Sequence, residues 1–382
     1  MLTISGRMGA LLVALGATLA IAAEAAEAWQ YRPELLRPFW VGEVVEGESV
    51  LFVRDEGKET ARASVLFPIQ DVLSVRTSAG DVTYEEGRDY LVEPGSREIV
   101  LPAGSRIVST SPGDLRRPAG TQKYALTHRD GNGEIRFGAG LEYAAMQTCI
   151  TYRHEPEKWK SAFPAFDPER LPRSVARLAN RQPLAIVTLG DSISEGANAS
   201  GMYDEAPFQP AYPELVRRGL AERCGGEVRM TNLSVGGMDS AWGLTQIDKV
   251  VEAQPDLVVV AFGMNDSAGR PAASYKDNIA GVIAAVREQV PECEFVLVAT
   301  MLGNPDWTRL KQELFGEYRQ ALLELAGPGV AIADLTTIWE GFLEREHDWD
   351  QTGNGVNHPN DFGHRVYAQV ITTLLADPAA AP

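Results

Sequence analysis

The chain has 382 residues, 45% hydrophobic and 23% charged, which is enough apolar side chain for a folded core and a length that suits about two domains. Its formal net charge of −17 argues against nucleic acid or an anionic membrane surface as a partner, since like charges repel. Three cysteines, Cys149, Cys224 and Cys293, make no disulfide framework, and no CxxC or HxxxH spacing offers a structural zinc site.

The first segment, "MLTISGRMGALLVALGATLAIAAEAAEA", carries one basic residue, Arg7, and then an apolar stretch from Met8 to Ala23. Small residues follow at the spacing a signal peptidase accepts, as at Ala20 and Ala22 or Ala26 and Ala28. The apolar run falls short of the roughly 20 residues that span a bilayer. Residues 1–26 are therefore expected to be a cleaved signal peptide, and the protein to be secreted or periplasmic, with no membrane span. No cysteine follows the apolar stretch to take a lipid anchor.

Residues 27–154 alternate short β-branched and aromatic runs ("ESVLFVRD", "ARASVLFPI", "DVLSVRTS", "REIVLPA", "CITYRH") with turn formers ("EPGSRE", "SPGD", "RDGNGE"). This pattern predicts an N-terminal all-β sandwich, jelly-roll-like. Residues 155–183 are Pro-rich and charged and read as a linker, with a short helix near Ser174–Asn180. Trp159, Phe163 and Phe166 call for burial against the second domain.

Residues 184–378 change character. "LAIVTLG", "EVRMTNLS", "DLVVVAFG", "EFVLVATM" and "GVAIADL" are apolar without alternation, as in strands covered on both faces. Between them, "AYPELVRRGLAERC", "YKDNIAGVIAAVREQV", "TRLKQELFGEYRQALLELA" and the final "DFGHRVYAQVITTLLAD" carry helical spacing. Strand–helix alternation with short loops predicts an α/β fold, a parallel sheet with helices on both faces.

Active groups in such a sheet sit beyond the C-terminal strand ends. There the sequence places "GDSI" (Gly190–Ile193), "NLSVGGMDS" and "FGMNDSAG", with "GNGVNHPNDFGH" ahead of the last helix. These blocks, in this order, resemble the SGNH (GDSL-type) hydrolase superfamily over about Leu184 to Asp377. The resemblance implies a flavodoxin-like three-layer sandwich with a five-stranded sheet in the order 2-1-3-4-5. It also implies Ser192 as nucleophile, His358 as its base, and an oxyanion hole from the Ser192 and Gly237 N–H groups and the Asn265 amide. In that order Cys224 and Cys293 flank strands three positions, about 14 Å, apart, too far for a bridge. Asp191 and Asp266 are read as ordering their loops.

The family has Asp three residues before its His, and position 355 here is Gly. Three arrangements stay open. Asn354 or a main-chain carbonyl orients His358 in a Ser–His dyad; Asp350, or less favourably Asp348, folds back to supply an acid; or the site is inactive. An Asn in that role can favour the wrong tautomer, although papain-like sites work with one.

The resemblance extends to secreted carbohydrate O-acetyl esterases with an added β-sandwich. The expected function is removal of O-acetyl groups from a carbohydrate through an acyl-serine, with neither cofactor nor metal, on a small-molecule or polysaccharide ester. All the chemistry is expected in residues 184–378. Small residues after Ser192 are expected to make room for an acyl group, and Trp242, Trp307, Trp339 and Trp349 to offer faces for sugar rings. A lipase or aryl esterase acting on longer acyl chains, and a carbohydrate-binding protein with a vestigial site, are the alternatives.

Overall fold

The structure is a computed structural model that describes residues 29–155 and 163–379. The expected signal peptide lies outside the described residues. Among them, no helix is long and apolar enough to cross a membrane.

The N-terminal region holds β1 (Val44–Val50), β2 (Arg62–Ser64), β3 (Asp71–Thr77), β4 (Leu91–Val92), β5 (Glu98–Val100), β6 (Arg116–Arg117), β7 (Glu134–Ile135) and β8 (Thr148–Arg153). Next come α1 (Pro172–Ala179), β9 (Leu184–Gly190), α2 (Ser192–Glu195), α3 (Tyr212–Cys224), β10 (Val228–Asn232), α4 (Ser240–Leu244), α5 (Ile247–Glu252), β11 (Leu257–Ala261) and α6 (Ala272–Gln289). The chain finishes with β12 (Glu294–Ala299), α7 (Glu313–Leu323), β13 (Val330–Asp334), α8 (Leu335–Leu343), α9 (Asp348–Gln351) and α10 (Asp361–Leu375).

β9 to β13 form one parallel sheet in the order β10-β9-β11-β12-β13, the 2-1-3-4-5 arrangement expected. Every residue of β9, β11 and β12 is buried, which is why those runs lack polar alternation. Side chains still alternate between faces. Leu184, Ile186, Leu257 and Val259 join one core with α3, α8 and α10, whereas Val187, Leu189, Val258 and Val260 join the other with α5, α6 and α7. Register pairs Ala261 with Gly190, so β9 and β11 end level and their loops share one rim.

The N-terminal strands are antiparallel, as expected, and divide into sheets β1-β8-β3, β2-β5-β4 and β6-β7. Apart from a small cluster of Leu51, Val53, Tyr143 and Met146, they share their core with the α/β unit. Phe39, Val45, Phe52, Phe67 and Tyr152 belong to the same buried cluster as Phe342, Phe362, Val366 and Tyr367 of α8 and α10. The Phe39 ring centroid lies 5.4 Å from that of Phe342 and 6.5 Å from that of Phe362. Helix α10 is consequently buried on all sides, with no exposed residue between Phe362 and Thr373. Its polar side chains serve the contact: Arg365 donates to the Gly47 carbonyl (2.7 Å) and Gln369 Nε2 to the Leu35 carbonyl (3.2 Å).

In the expected linker, α1 begins with Pro172. Its free N–H groups at Arg173 and Ser174 donate to the buried Glu294 carboxylate (3.0 and 2.8 Å), tying the helix to the start of β12. Phe163 stacks on Trp40 with ring centroids 4.8 Å apart.

Candidate functional site

β9 delivers its chain to the rim at Gly190, and the next residue caps a helix. Asp191 Oδ1 accepts from the Ile193 N–H (3.0 Å), opening the short helix α2 with Ser192 as its first residue. Burial, with Asp266 nearby, pushes the Asp191 carboxyl up to about 7. Asp266 accepts from the Ser240 N–H (3.1 Å) and hydroxyl (2.6 Å) and pairs with Arg270, whose Nε lies 2.6 Å away but out of line for a hydrogen bond. Both aspartates face the loops that they order.

Ser192 Oγ lies 2.9 Å from His358 Nε2. His358 stands at the end of a tight loop after α9. Asn354 Oδ1 accepts from the N–H groups of Val356 (2.8 Å), Asn357 (2.9 Å) and His358 (3.3 Å), and the Gly353 N–H donates to the His358 carbonyl (2.8 Å). Asn354 therefore shapes the main chain and does not touch the ring.

The ring's other nitrogen, Nδ1, lies 2.8 Å from Asn198 Oδ1. This corrects the expectation that Asn354 or Asp350 orients His358. Asp350 points toward the N-terminal region, accepting from the Leu51 N–H (2.6 Å) and the His347 N–H (3.0 Å). Asp348 is pushed up to about 6 by burial and by Asp306 beside it. Asn198 is fixed in turn: its Nδ2 donates to the carbonyls of Gly140 (2.7 Å) and Gly353 (3.1 Å). With Nδ2 committed to two acceptors, Oδ1 must face the ring, so Nδ1 carries the proton and Nε2 is the acceptor for the Ser192 hydroxyl. Burial, and His364 secondarily, lowers the His358 pKa to about 4.

The three expected oxyanion donors follow the C-terminal ends of the neighbouring strands β9, β10 and β11. The N–H groups of Ser192 and Gly237 have no acceptor among the described residues. Gly237 takes φ +79°, where a side chain is strained, and an added Cβ would meet nothing within 4 Å. The preceding Gly236 N–H donates to Glu195 Oε2 (2.9 Å), pinning the turn against α2. Asn265 Nδ2 spends one hydrogen on the Met238 carbonyl (2.9 Å) and keeps the other.

The expectation of open space after Ser192 is corrected, and of the four tryptophans only Trp339 is shut off from a ligand. The small residues after Ser192 serve packing: Ala197 and Ala199 are buried, Ser194 meets the Tyr212 hydroxyl (2.7 Å), and a Cβ on Gly201 would lie 2.7 Å from the Gln209 carbonyl oxygen. Among the tryptophans, Trp339 is buried. Trp242 and Trp307 are partly buried against the cores, and Trp349 stacks on His347 at 4.1 Å. The remaining histidines are also occupied. His364 is buried, with Nε2 3.1 Å from the Ala197 carbonyl oxygen, and His154 stacks on Phe67. Among the described residues no cluster of three or more His, Cys, Asp or Glu side chains could hold a metal.

Sequence reasoning missed Asn198, Glu195 and Gly140. Asn198 sits at φ +67°, a conformation asparagine tolerates, but nothing in "EGANAS" marks it as a partner for a histidine 160 residues on.

A serine and a neutral imidazole in line, beside unpaired donors at the ends of parallel strands, define a serine acylhydrolase on an open α/β sheet. Residues 188–366 match the GDSL-like Lipase/Acylhydrolase family, and this α/β unit belongs to it. No curated protein sequence matches the chain. Solved structures similar to it include a lipase/acylhydrolase from Enterococcus faecalis (24% identity over 50% of this chain and 93% of that one, TM-score 0.40). The lipase Lip_vut3 from a goat rumen metagenome is 17% identical over 49% of this chain and 95% of its own, with TM-score 0.40. A two-domain esterase, CEX, active on acetylated mannans, is 20% identical over 57% of each chain, with TM-score 0.42.

Proposed function

We propose that the protein is an exported esterase that removes short acyl groups, O-acetyl above all, from carbohydrate through a covalent acyl-serine. Ser192 Oγ attacks the acyl carbon while His358 Nε2 takes its proton, and Nδ1–H stays on Asn198 Oδ1. The oxyanion is held by the Ser192 and Gly237 N–H groups and the free Asn265 N–H. Collapse breaks the bond to the sugar oxygen, which leaves with the proton from His358. Water then repeats the sequence on the acyl-serine and releases the acid.

The observation that carries this reading is the continuous line Ser192 Oγ–His358 Nε2, His358 Nδ1–Asn198 Oδ1, at 2.9 and 2.8 Å. A sugar is favoured by an open groove of about 690 Å³ beside Glu195, lined by Met202, Phe208, Asp204 and Arg218, which offers apolar faces and polar edges together.

A fluorophosphonate should label Ser192, and activity on p-nitrophenyl esters should fall steeply from acetyl to octanoyl. A panel of acetylated glycans should release acetate. Preference for octanoyl would favour a lipase, and glycan binding without labelling would favour a vestigial site. Export is tested by N-terminal sequencing of protein recovered outside the cytoplasm, which should begin after about residue 26.

A further inference from the structure

We infer that the N-terminal β region is a working part of the catalytic machinery: through the Gly140 carbonyl it holds Asn198 in the one amide orientation that leaves His358 able to take the Ser192 proton. The inference rests on the Ser192–His358 reading above and extends it to a part of the chain outside the matched family.

Asn198 is a neutral residue in the role that the family gives to a carboxylate, and a carboxylate cannot be wrongly flipped, whereas an amide can. Reversed, Asn198 would set Oδ1 against the Gly140 and Gly353 carbonyl oxygens and present Nδ2 to His358. The ring proton would move to Nε2, facing Ser192, and the base would be lost. That wrong tautomer costs about 10⁴ in kcat in the trypsin variant whose triad aspartate is replaced by asparagine. Here the flip is blocked by two carbonyls, and the nearer of them, at 2.7 Å, belongs to the N-terminal region.

The same region explains why the usual acid is absent. Position 355, where the resemblance expects Asp, is a glycine at φ +84°, a conformation that strains any side chain. A Cβ there would be driven into the Arg136 carbonyl oxygen and would lie 2.8 Å from the Tyr143 ring. The N-terminal region thus occupies the space of the missing acid and braces Asn198, which faces the ring from the other side. Its contact segment is tied down residue by residue. The Gly138 N–H donates to the Asn354 carbonyl (3.1 Å), the Tyr203 hydroxyl to the Ala139 carbonyl (3.2 Å), and the Gly140 N–H to Glu142 Oε2 (2.8 Å). Glu142 touches neither Asn198 nor His358 in this network, so it is a positioning residue two contacts removed from the chemistry.

The test uses the full-length protein and three variants, N198D, E142A and E142Q, with p-nitrophenyl acetate and a fluorophosphonate as probes. In N198D the donor is gone and a charged oxygen faces two carbonyls. The expected result is a kcat lower by about 10²-fold, a KM within about twofold, and an acid limb moved up from about pH 4, because a carboxylate now faces the ring. E142A should lower kcat by about 3–10-fold at unchanged KM, and E142Q, which can still accept from the Gly140 N–H, should restore it. If N198D fails to fold, the E142A/E142Q pair decides alone. An N198D at least as active as the parent, or an E142A with unchanged kcat, would overturn the inference while normal Ser192 labelling leaves the esterase reading standing. No labelling of Ser192 in the parent protein would overturn both.

Discussion

The α/β unit and the N-terminal region are held together in different ways. In the first, five parallel strands share one hydrogen-bonded sheet, and the three inner ones bury every residue. In the second, strands of two to seven residues fall into three small sheets, and the buried residues of the two larger ones join the cluster that includes α8 and α10. The α/β unit builds its own core, whereas the N-terminal region completes a core begun elsewhere. The same asymmetry runs through the active site: both atoms of the proton transfer come from the α/β unit, and the brace behind them reaches into the N-terminal region.

The largest effect should come from the transfer pair itself. Ser192→Ala and His358→Ala should each lower kcat by on the order of 10⁶, as when a member acting as a unit is lost. Similar losses would confirm that one unit does the chemistry, and a mild His358→Ala would break that picture.

Removing the N-terminal region is the next test, and shared packing reverses the simple division that the sequence suggests. A chain starting at Arg181 would expose Phe342 and Phe362, now 0% and 2% accessible, and each buried phenylalanine is worth about 1.5–3 kcal/mol. It would also leave Asn198 without Gly140. The expected outcome is a poorly folded protein, or a folded one with kcat reduced at least tenfold, measured by thermal melting and p-nitrophenyl acetate turnover. A stable, fully active fragment would show the two regions to be independent.

Legibility in the sequence divides along the same line. Apolar runs expose the parallel strands, and the strand-end blocks, each a pattern within a dozen residues, carry the family resemblance that implies the sheet order, Ser192, Gly237, Asn265 and His358. Asn198 was hidden because its role needs the Gly353–His358 loop and Gly140, brought together from two distant segments. The small residues around it look like space for a substrate and are in fact close packing. Helix α10 misleads similarly: "HRVYAQVITT" reads as half-polar, yet Arg365 and Gln369 are buried because they serve carbonyls of the other region.

Smaller effects probe the oxyanion rim and the base. Asn265→Ala should lower kcat by about 10²–10³ with little change in KM, since the donor acts on charge that develops in the transition state. His358 must be neutral to act, and its pKa is lowered to about 4, so kcat/KM should hold down to that region and fall only as pH drops through about 4. A limb near 6–7 would mean that a carboxylate reaches the ring after all.

The smallest predicted effect lies where the two regions meet, away from the chemistry. Glu48 of β1 and Glu346, just after α8, are buried side by side. Glu48 accepts from the Leu66 N–H (2.8 Å) and the Tyr152 hydroxyl (2.7 Å), while Glu346 Oε2 accepts from Gln351 (2.6 Å) and its Oε1 has no donor. A proton on Glu346, donated to Glu48, resolves both the orphaned oxygen and the like-charge contact. Burial, with Glu48 beside it, holds the Glu346 carboxyl well above its ordinary range. The folded state therefore binds a proton that the unfolded chain gives up above about pH 4.5, and stability should decline as pH rises from there. Glu346→Gln keeps an acceptor for Gln351 and a donor for Glu48 without the titration. Its melting temperature should match the parent's near pH 4 and exceed it at pH 8, by about 2–4 °C for each kcal/mol removed. Parallel melting curves across that range would place the proton elsewhere and leave the contact between the regions insensitive to pH.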